Sequence, residues 1–332
     1  MLDPTFSRRD ALKLSGLGFL GAAALAAGLP PRTLAQPSAP VASAIQRKRA
    51  LRLAHLTDIH VQPERAAGEG LAACLDHVHS FKDKPDLVVT GGDLVMDSFG
   101  ADDARTALQW ELFTKTWKDH CSIRTEHTLG NHDTWGWHKK PSKTTGNEKN
   151  WGKQRALDAL GIPRRYHSYD AAGWHIVHLD STHTDPNNPD GYIGMLDDEQ
   201  LDWLKGDLAA VKHTTHTLII SHIPIFSATV LAGKPGKDNN YAVPGGEMHV
   251  DSPALRELFE KNGTVRACIS GHIHRLDQVK FRGIEYHCNG AVCGSWWKGP
   301  NHEAVEGYAL LDLFDDGTID RQYVTYGWKA RE

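Results

Sequence analysis

Five short polar clusters stand in this chain, each at the end of an apolar run: Asp58-Ile59-His60, Gly91-Gly92-Asp93, Gly130-Asn131-His132-Asp133, Ser221-His222 and Gly271-His272-Ile273-His274. Their carboxylates, imidazoles and single carboxamide are oxygen and nitrogen donors of the kind that hold first-row divalent or trivalent metals, and no cluster contains sulfur. Asp58 and Asp93, an asparagine and several histidines are more donors than one four-coordinate ion needs. A carboxylate delivered from a middle strand, such as Asp93, can bridge two ions. Paired ions about 3.5–4 Å apart clamp the attacking and leaving oxygens of an in-line phosphoryl displacement. They also lower the pKa of a bound water, which makes hydroxide available near neutral pH. His132, beside the ligand Asn131, is then left to protonate the leaving alkoxide or to stabilise the charged phosphoryl group.

Each cluster needs an element to deliver it. Alternation and apolar runs predict strands over residues 51–57, 86–90, 124–129, 174–179, 217–220 and 265–269, five of which lead into the clusters. Helical spacing is read over 70–81, 104–118 and 197–208. Residues 134–155 carry no clear period and read as a long polar, basic loop. From residue 278 onward, period-two segments with the turn signal Asp315-Asp316-Gly317 predict antiparallel strands. Strands alternating with helices, then a hairpin-rich tail, define an α/β class: two packed mixed β-sheets flanked by helices, in one domain over 47–332. In such folds the site lies beyond the carboxyl ends of the strands, where all five clusters fall.

The chain has 332 residues, 40% of them apolar, and a formal net charge of -4. That charge argues against a nucleic-acid polymer as partner. Residues 1–35 have the layout of a twin-arginine signal peptide: Ser7-Arg8-Arg9-Asp10, an apolar Gly/Ala-rich stretch over 14–29, and cleavage after Thr33-Leu34-Ala35 or, as a second candidate, Ala42-Ser43-Ala44. The apolar stretch is shorter than the roughly 20 residues of a membrane span, so no stable anchor is expected. A linker covers 36–46. The expected destination is the periplasm or exterior, with the twin-arginine translocase as export partner. That route moves folded proteins and suits a metal centre loaded beforehand. Of the cysteines, Cys268 reads as a buried free thiol, and Cys288 with Cys293 are the pair open to a disulfide.

In this order the clusters resemble the calcineurin-like metallophosphoesterase superfamily, over the span from Asp58 to His274. The resemblance implies a four-layer sandwich and two metal ions, with iron, manganese or zinc as the usual occupants. One ion would be held by Asp58, His60, Asp93 and His274, and the other by Asp93, Asn131, His222 and His272. His132 matches the catalytic histidine. Protein phosphatases of the superfamily continue the second motif as Gly-Asp-x-x-Asp-Arg, whereas here it runs Gly92-Asp93-Leu94-Val95-Met96-Asp97 without the arginine. Met96 stands where purple acid phosphatases place a metal-binding tyrosine. The pattern looks nearest to the bacterial cyclic-nucleotide phosphodiesterase group.

The expected function is therefore an exported dinuclear-metal hydrolase that cleaves a small phosphate ester, a diester in preference, by attack of a metal-bound hydroxide with help from His132. The alternatives are a phosphate-scavenging phosphomonoesterase and a non-catalytic metal-binding or scaffold protein on the same fold. Asp133 reads as a turn-closing residue and Asp97 as a partner that orients His132. Trp135, His138, Lys139, Trp296 and Trp297 are the candidate substrate contacts. The lysine-rich loop over 134–155 is expected to draw in an anionic ester.

Overall fold

The computed structural model describes residues 47–188 and 190–331. The signal peptide and linker expected over 1–46 lie outside the described residues. In chain order the elements are β1 (Arg49–Leu56), α1 (Ala67–Ser80), β2 (Leu87–Thr90), α2 (Asp103–His120), β3 (Thr125–Glu126), α3 (Lys139–Ser142), α4 (Gln154–Leu160), β4 (His167–Ala171), β5 (Trp174–His178), β6 (Thr182–Thr184), β7 (Tyr192–Gly194), α5 (Asp198–Ala210), β8 (His216–Ile220), α6 (Ser252–Asn262), β9 (Val265–Ser270), β10 (Asp277–Phe281), β11 (Ile284–Cys288), β12 (Gly307–Phe314) and β13 (Ile319–Thr325).

Two large mixed sheets organise them, in the orders β13-β12-β1-β2-β3 and β10-β11-β9-β8-β5-β4, with β6-β7 a separate hairpin. β1 alternates so that Leu51 and Leu53 face the second sheet while Ala54 and Leu56 face the helices. Trp174, Ile176, Leu218, Ile220, Ala267 and Ile269 meet Leu51 and Leu53 from the other sheet. Outside the first sheet, Leu71, Leu75, Trp110 and Phe113 pack from α1 and α2. Outside the second, Leu204, Leu208, Leu255 and Phe259 pack from α5 and α6. The result is helix, sheet, sheet, helix, a mixed α/β sandwich as expected. The helices start where sequence allows: Asp102 accepts from the Arg105 backbone N–H, and Asp197 from that of Gln200.

The differences from expectation are local. The strand read over 124–129 shrinks to the two-residue β3, at the edge of its sheet. The loop read over 134–155 contains α3 and runs into α4. The tail forms two antiparallel hairpins but is divided: β10 and β11 extend the second sheet, with β11 parallel to β9, whereas β12 inserts antiparallel beside β1 in the first. α6 was not read from the sequence. Among the described residues, no helix is long and apolar enough to cross a membrane.

Two buried histidines lie between the sheets, and His127 packs on the helix side of the first sheet against Phe113 and Trp117. His55 and His178 are fully buried, paired respectively with Asn289 at 2.9 Å and Thr128 at 2.8 Å. Burial pushes His55 down to about 3 and His127 to about 4, and holds His178 well below the ordinary range. The unfolded chain takes up protons on these rings below pH 6.5 while the folded chain stays neutral, so stability must fall as pH drops. For the metal-loaded protein we expect the three rings to remove roughly 1 kcal/mol each per pH unit between pH 6.5 and 4.5. Urea midpoints at pH 7.5 and 5 check this, and equal midpoints would refute it.

Candidate metal centre

β1 and β2 are parallel neighbours, as are β8 and β9, and the four strands end on the same side of the sandwich. The chain turns sharply there. Asp58, His60, Asp93, His272 and His274 all take left-handed backbone conformations, with φ of 54°, 46°, 53°, 71° and 53°. Asp and His tolerate that region better than most residues, and strain of this kind concentrates at functional sites. Two glycines are required by close approach: a Cβ on Gly130 would overlap Asp93, and one on Gly271 would overlap Thr57 and Asp58.

These turns bring together all seven residues expected as metal ligands. His60 Nε2 lies 3.1 Å from His274 Nε2, and His274 Nε2 lies 3.3 Å from Asp58 Oδ1. His222 Nε2 lies 3.0 Å from Asn131 Oδ1 and 3.2 Å from His272 Nδ1. Between the two groups stands Asp93, whose Oδ2 is 3.5 Å from His60 Nε2 and 3.1 Å from His222 Nε2. One carboxylate oxygen thus faces both halves of the site.

Hydrogen bonding behind the ligands decides which nitrogens point inward. His222 Nδ1 and His274 Nδ1 each donate to a backbone carbonyl at 2.7 Å, Gly91 and Gly294 respectively. His60 Nδ1 faces the Met96 carbonyl at 3.4 Å. Their Nε2 atoms are left as bare acceptors aimed at other acceptors. Asp58 is held by Thr57 Oγ1 at 2.6 Å and by the His272 backbone N–H. A buried convergence of acceptors is stable only with positive charge at its centre, so the donor set fits two metal ions.

The proton equilibria say the same. Burial disfavours a charged His222, but Asp93 outweighs it and raises the ring to about 9. Burial likewise opposes charge on His274, which Asp58 overcomes, holding it well above its ordinary value. His60 and His272 are pushed by burial to about 3. Asp93, despite burial, is held well below the carboxylate range by His222 and His132. Bound cations would displace the protons from His222 and His274.

His132 follows Asn131 at the rim, its backbone N–H donating to Asp93 Oδ1 at 2.8 Å and its side chain 30% exposed. Its ring meets that of His60 edge-on at 4.8 Å. Asp97 Oδ1 is 3.9 Å from His132 Nδ1, within ion-pair reach but too far for a hydrogen bond. Asp133 accepts from the backbone N–H groups of Leu94 and Gly130, both at 2.8 Å, and so closes the turn.

The candidate substrate contacts divide. Trp296 stands over the centre, its ring 4.7 Å from that of His274 and 6.1 Å from that of His60. His138 lines the adjoining cavity. Trp297 is fully buried with its Nε1 donating to the His60 carbonyl, and Trp135 is buried with its Nε1 donating to that of Ala101. Neither offers a face to a ligand. Lys139 lies over Trp151, Lys143 pairs with Asp102, Arg155 pairs with Asp103, and the partly buried Lys153 pairs with Asp180. No lysine of this loop lines the cavity beside His132.

Sequence reasoning missed three neighbours of the site. Phe99 and Tyr192 line the cavity next to His132. The Cys293 thiol lies with His60 and His274, their ligand atoms within 4.8 Å of one another. All five cysteines are free thiols, Cys288 and Cys293 included.

The two tryptophans provide a contrasting pair. Trp297→Ala should destabilise the protein by about 3–5 kcal/mol, as expected when a filled core position is emptied. Trp296→Ala should leave the melting temperature nearly unchanged and raise KM for an aryl diester roughly three- to tenfold, the worth of one aromatic contact. Identical melting and kinetic behaviour of the two variants would refute the assignment.

The strand ends of the two sheets thus converge seven nitrogen and oxygen donors on two adjacent positions that could hold metal ions. Residues 51–276, well over half of the chain, match the model of the calcineurin-like phosphoesterase family, and the chain belongs to that family. The same fold is found in a dimetal phosphatase from Danio rerio, at 14% identity and a TM-score of 0.56, covering 84% of this chain and 100% of that one. Weaker similarity extends to a phosphopantetheinyl hydrolase from Mycobacterium tuberculosis, with 12% identity, a TM-score of 0.43 and coverage of 74% and 91% of the two chains. A putative 5'-nucleotidase from Staphylococcus aureus gives 12% identity and a TM-score of 0.45, with coverage of 82% of this chain and 53% of that one. No curated protein sequence matches. Membership places the chain among metal-dependent phosphoric ester hydrolases.

Proposed function

We propose that this protein is an exported phosphodiesterase. The observation that supports a diester is the presence of two separate flanks beside the centre. Trp296 stands by His274 and His60 on one side, and a cavity of about 300 Å³ borders Asn131 and His132 on the other. A diester has two organic arms to place, whereas a monoester has one.

Asp58, His60, Asp93 and His274 would hold one ion, and Asp93, Asn131, His222 and His272 the other. When bound, the pair supplies Lewis acidity toward the phosphate oxygens and a water acidic enough to act as nucleophile near neutral pH. Asp93, tied by the His132 backbone N–H, sets the spacing of the two halves. His132 borders the cavity that receives the leaving arm and gives its proton to the departing oxygen.

Bis-aryl phosphate, aryl phosphate and a cyclic nucleotide, assayed side by side on the metal-reconstituted protein, test this reading. It expects the highest kcat/KM on the bis-aryl diester, and a higher value on the monoester would overturn it. Export through the twin-arginine route is part of the same proposal. Replacing Arg8 and Arg9 by lysine should retain the protein in the cytoplasmic fraction, and unchanged periplasmic yield would refute that route.

A further inference from the structure

The cavity on the leaving-group side has a composition that selects its occupant. Besides Asn131 and His132 it is lined by Asp97, Phe99, Gly100, His138, Asp190 and Tyr192, and by no lysine or arginine. The rings of Phe99 and Tyr192 meet at 5.7 Å and 75°, and those of Phe99 and His138 at 4.3 Å and 75°, which gives an aromatic wall. Among the described residues, neither Asp97 nor Asp190 has a lysine or arginine within 4.0 Å, and His132 is the one ion-pair partner of Asp97.

Aromatic faces with carboxylates and no lysine or arginine are the surroundings that favour an organic cation. They disfavour a second anionic group, which rules against a nucleoside phosphate as the leaving arm. The phosphate itself needs no lysine or arginine here, because metal ions held by the ligands beside it would supply the positive charge. We propose that the arm placed in this cavity is an alkylammonium alcohol, so that the substrate is an amino-alcohol phosphodiester. This rests on the phosphodiesterase reading. In the reaction, water oxygen bonds to phosphorus and the P–O bond to the amino alcohol breaks. The alkoxide takes the proton of His132, and the products are a phosphomonoester and the free amino alcohol, with one proton released to solvent.

The probes are methyl phosphocholine, the methyl neohexyl phosphate in which carbon replaces the nitrogen, and bis(p-nitrophenyl) phosphate. The metal-loaded protein should show a kcat/KM about tenfold higher on the choline ester than on its uncharged twin, the size of a cation–π and carboxylate contribution together. Added salt should narrow that ratio. Asp190→Asn and Tyr192→Leu should each bring the ratio toward one. Equal kcat/KM on the matched pair, with bis(p-nitrophenyl) phosphate still hydrolysed, would overturn the cationic arm and leave the phosphodiesterase reading standing. Failure on all three esters would overturn both. A ratio unchanged in both variants would also sink the proposal, since the preference would then arise elsewhere.

Discussion

Asp93→Asn should lose one of the two metal ions and lower diester turnover by on the order of 10³-fold or more, since metal stabilisation of transition-state charge is worth several kcal/mol. The substitution keeps the shape of the side chain and one oxygen for the His132 backbone N–H. It removes the negative charge and the oxygen that stands 3.5 Å from His60 Nε2 and 3.1 Å from His222 Nε2. Among the described residues no other carboxylate faces both groups, because Asp58 lies on the His274 side. With Asp93 neutral, His222 also loses the partner that raises its pKa. Metal analysis by mass spectrometry together with steady-state kinetics reads both effects. Two ions per chain with wild-type turnover would show that Asp93 does not bridge.

His132→Ala should leave two metal ions bound while lowering kcat by about 10²–10⁴, the usual contribution of a positioned proton donor. The structure separates the two roles. His132 binds to Asp93 through its backbone N–H, which alanine retains, while its ring stands at the cavity rim with 30% of its surface exposed. Truncation therefore removes a reacting group without emptying a core position. The loss should be smaller for an ester with a good leaving group, such as nitrophenol, than for an alkyl alcohol that needs the proton. Equal loss on both, or loss of metal, would assign His132 to the metal centre instead.

The convergence of the candidate donors was legible because each cluster is contiguous and four of the five closely follow a strand. Once β1, β2, β8 and β9 are parallel neighbours, their ends must meet, and local sequence suffices to say what meets there. The cavity wall was not legible. Phe99 lies in the connection after Asp93, and Tyr192 opens a short strand of a separate hairpin, so their meeting depends on loop paths rather than on period. Cys293 comes from the segment between β11 and β12, and its backbone N–H bonds to the Asp58 carbonyl across more than two hundred residues.

Charge and aromaticity misled for a related reason. The basic residues after His132 look free in sequence, yet Asp102 and Asp103 at the start of α2 and the buried Asp180 pair with Lys143, Arg155 and Lys153. Trp296 and Trp297 are adjacent and chemically identical, both with positive φ, and only the turn decides that one borders the centre and the other fills the core. α6 did carry signals that could have found it: Pro253 in its first turn, Leu255 and Phe259 one turn apart, and Gly263 at its end.

The central claim is that two ions, held on either side of Asp93, are needed for turnover. It is tested most directly by titrating manganese or zinc into metal-free protein while following bis-aryl phosphate hydrolysis and bound metal together. Activity should remain low through the first equivalent and reach its plateau at two per chain. A plateau at one equivalent, or full turnover in the metal-free protein, would contradict it.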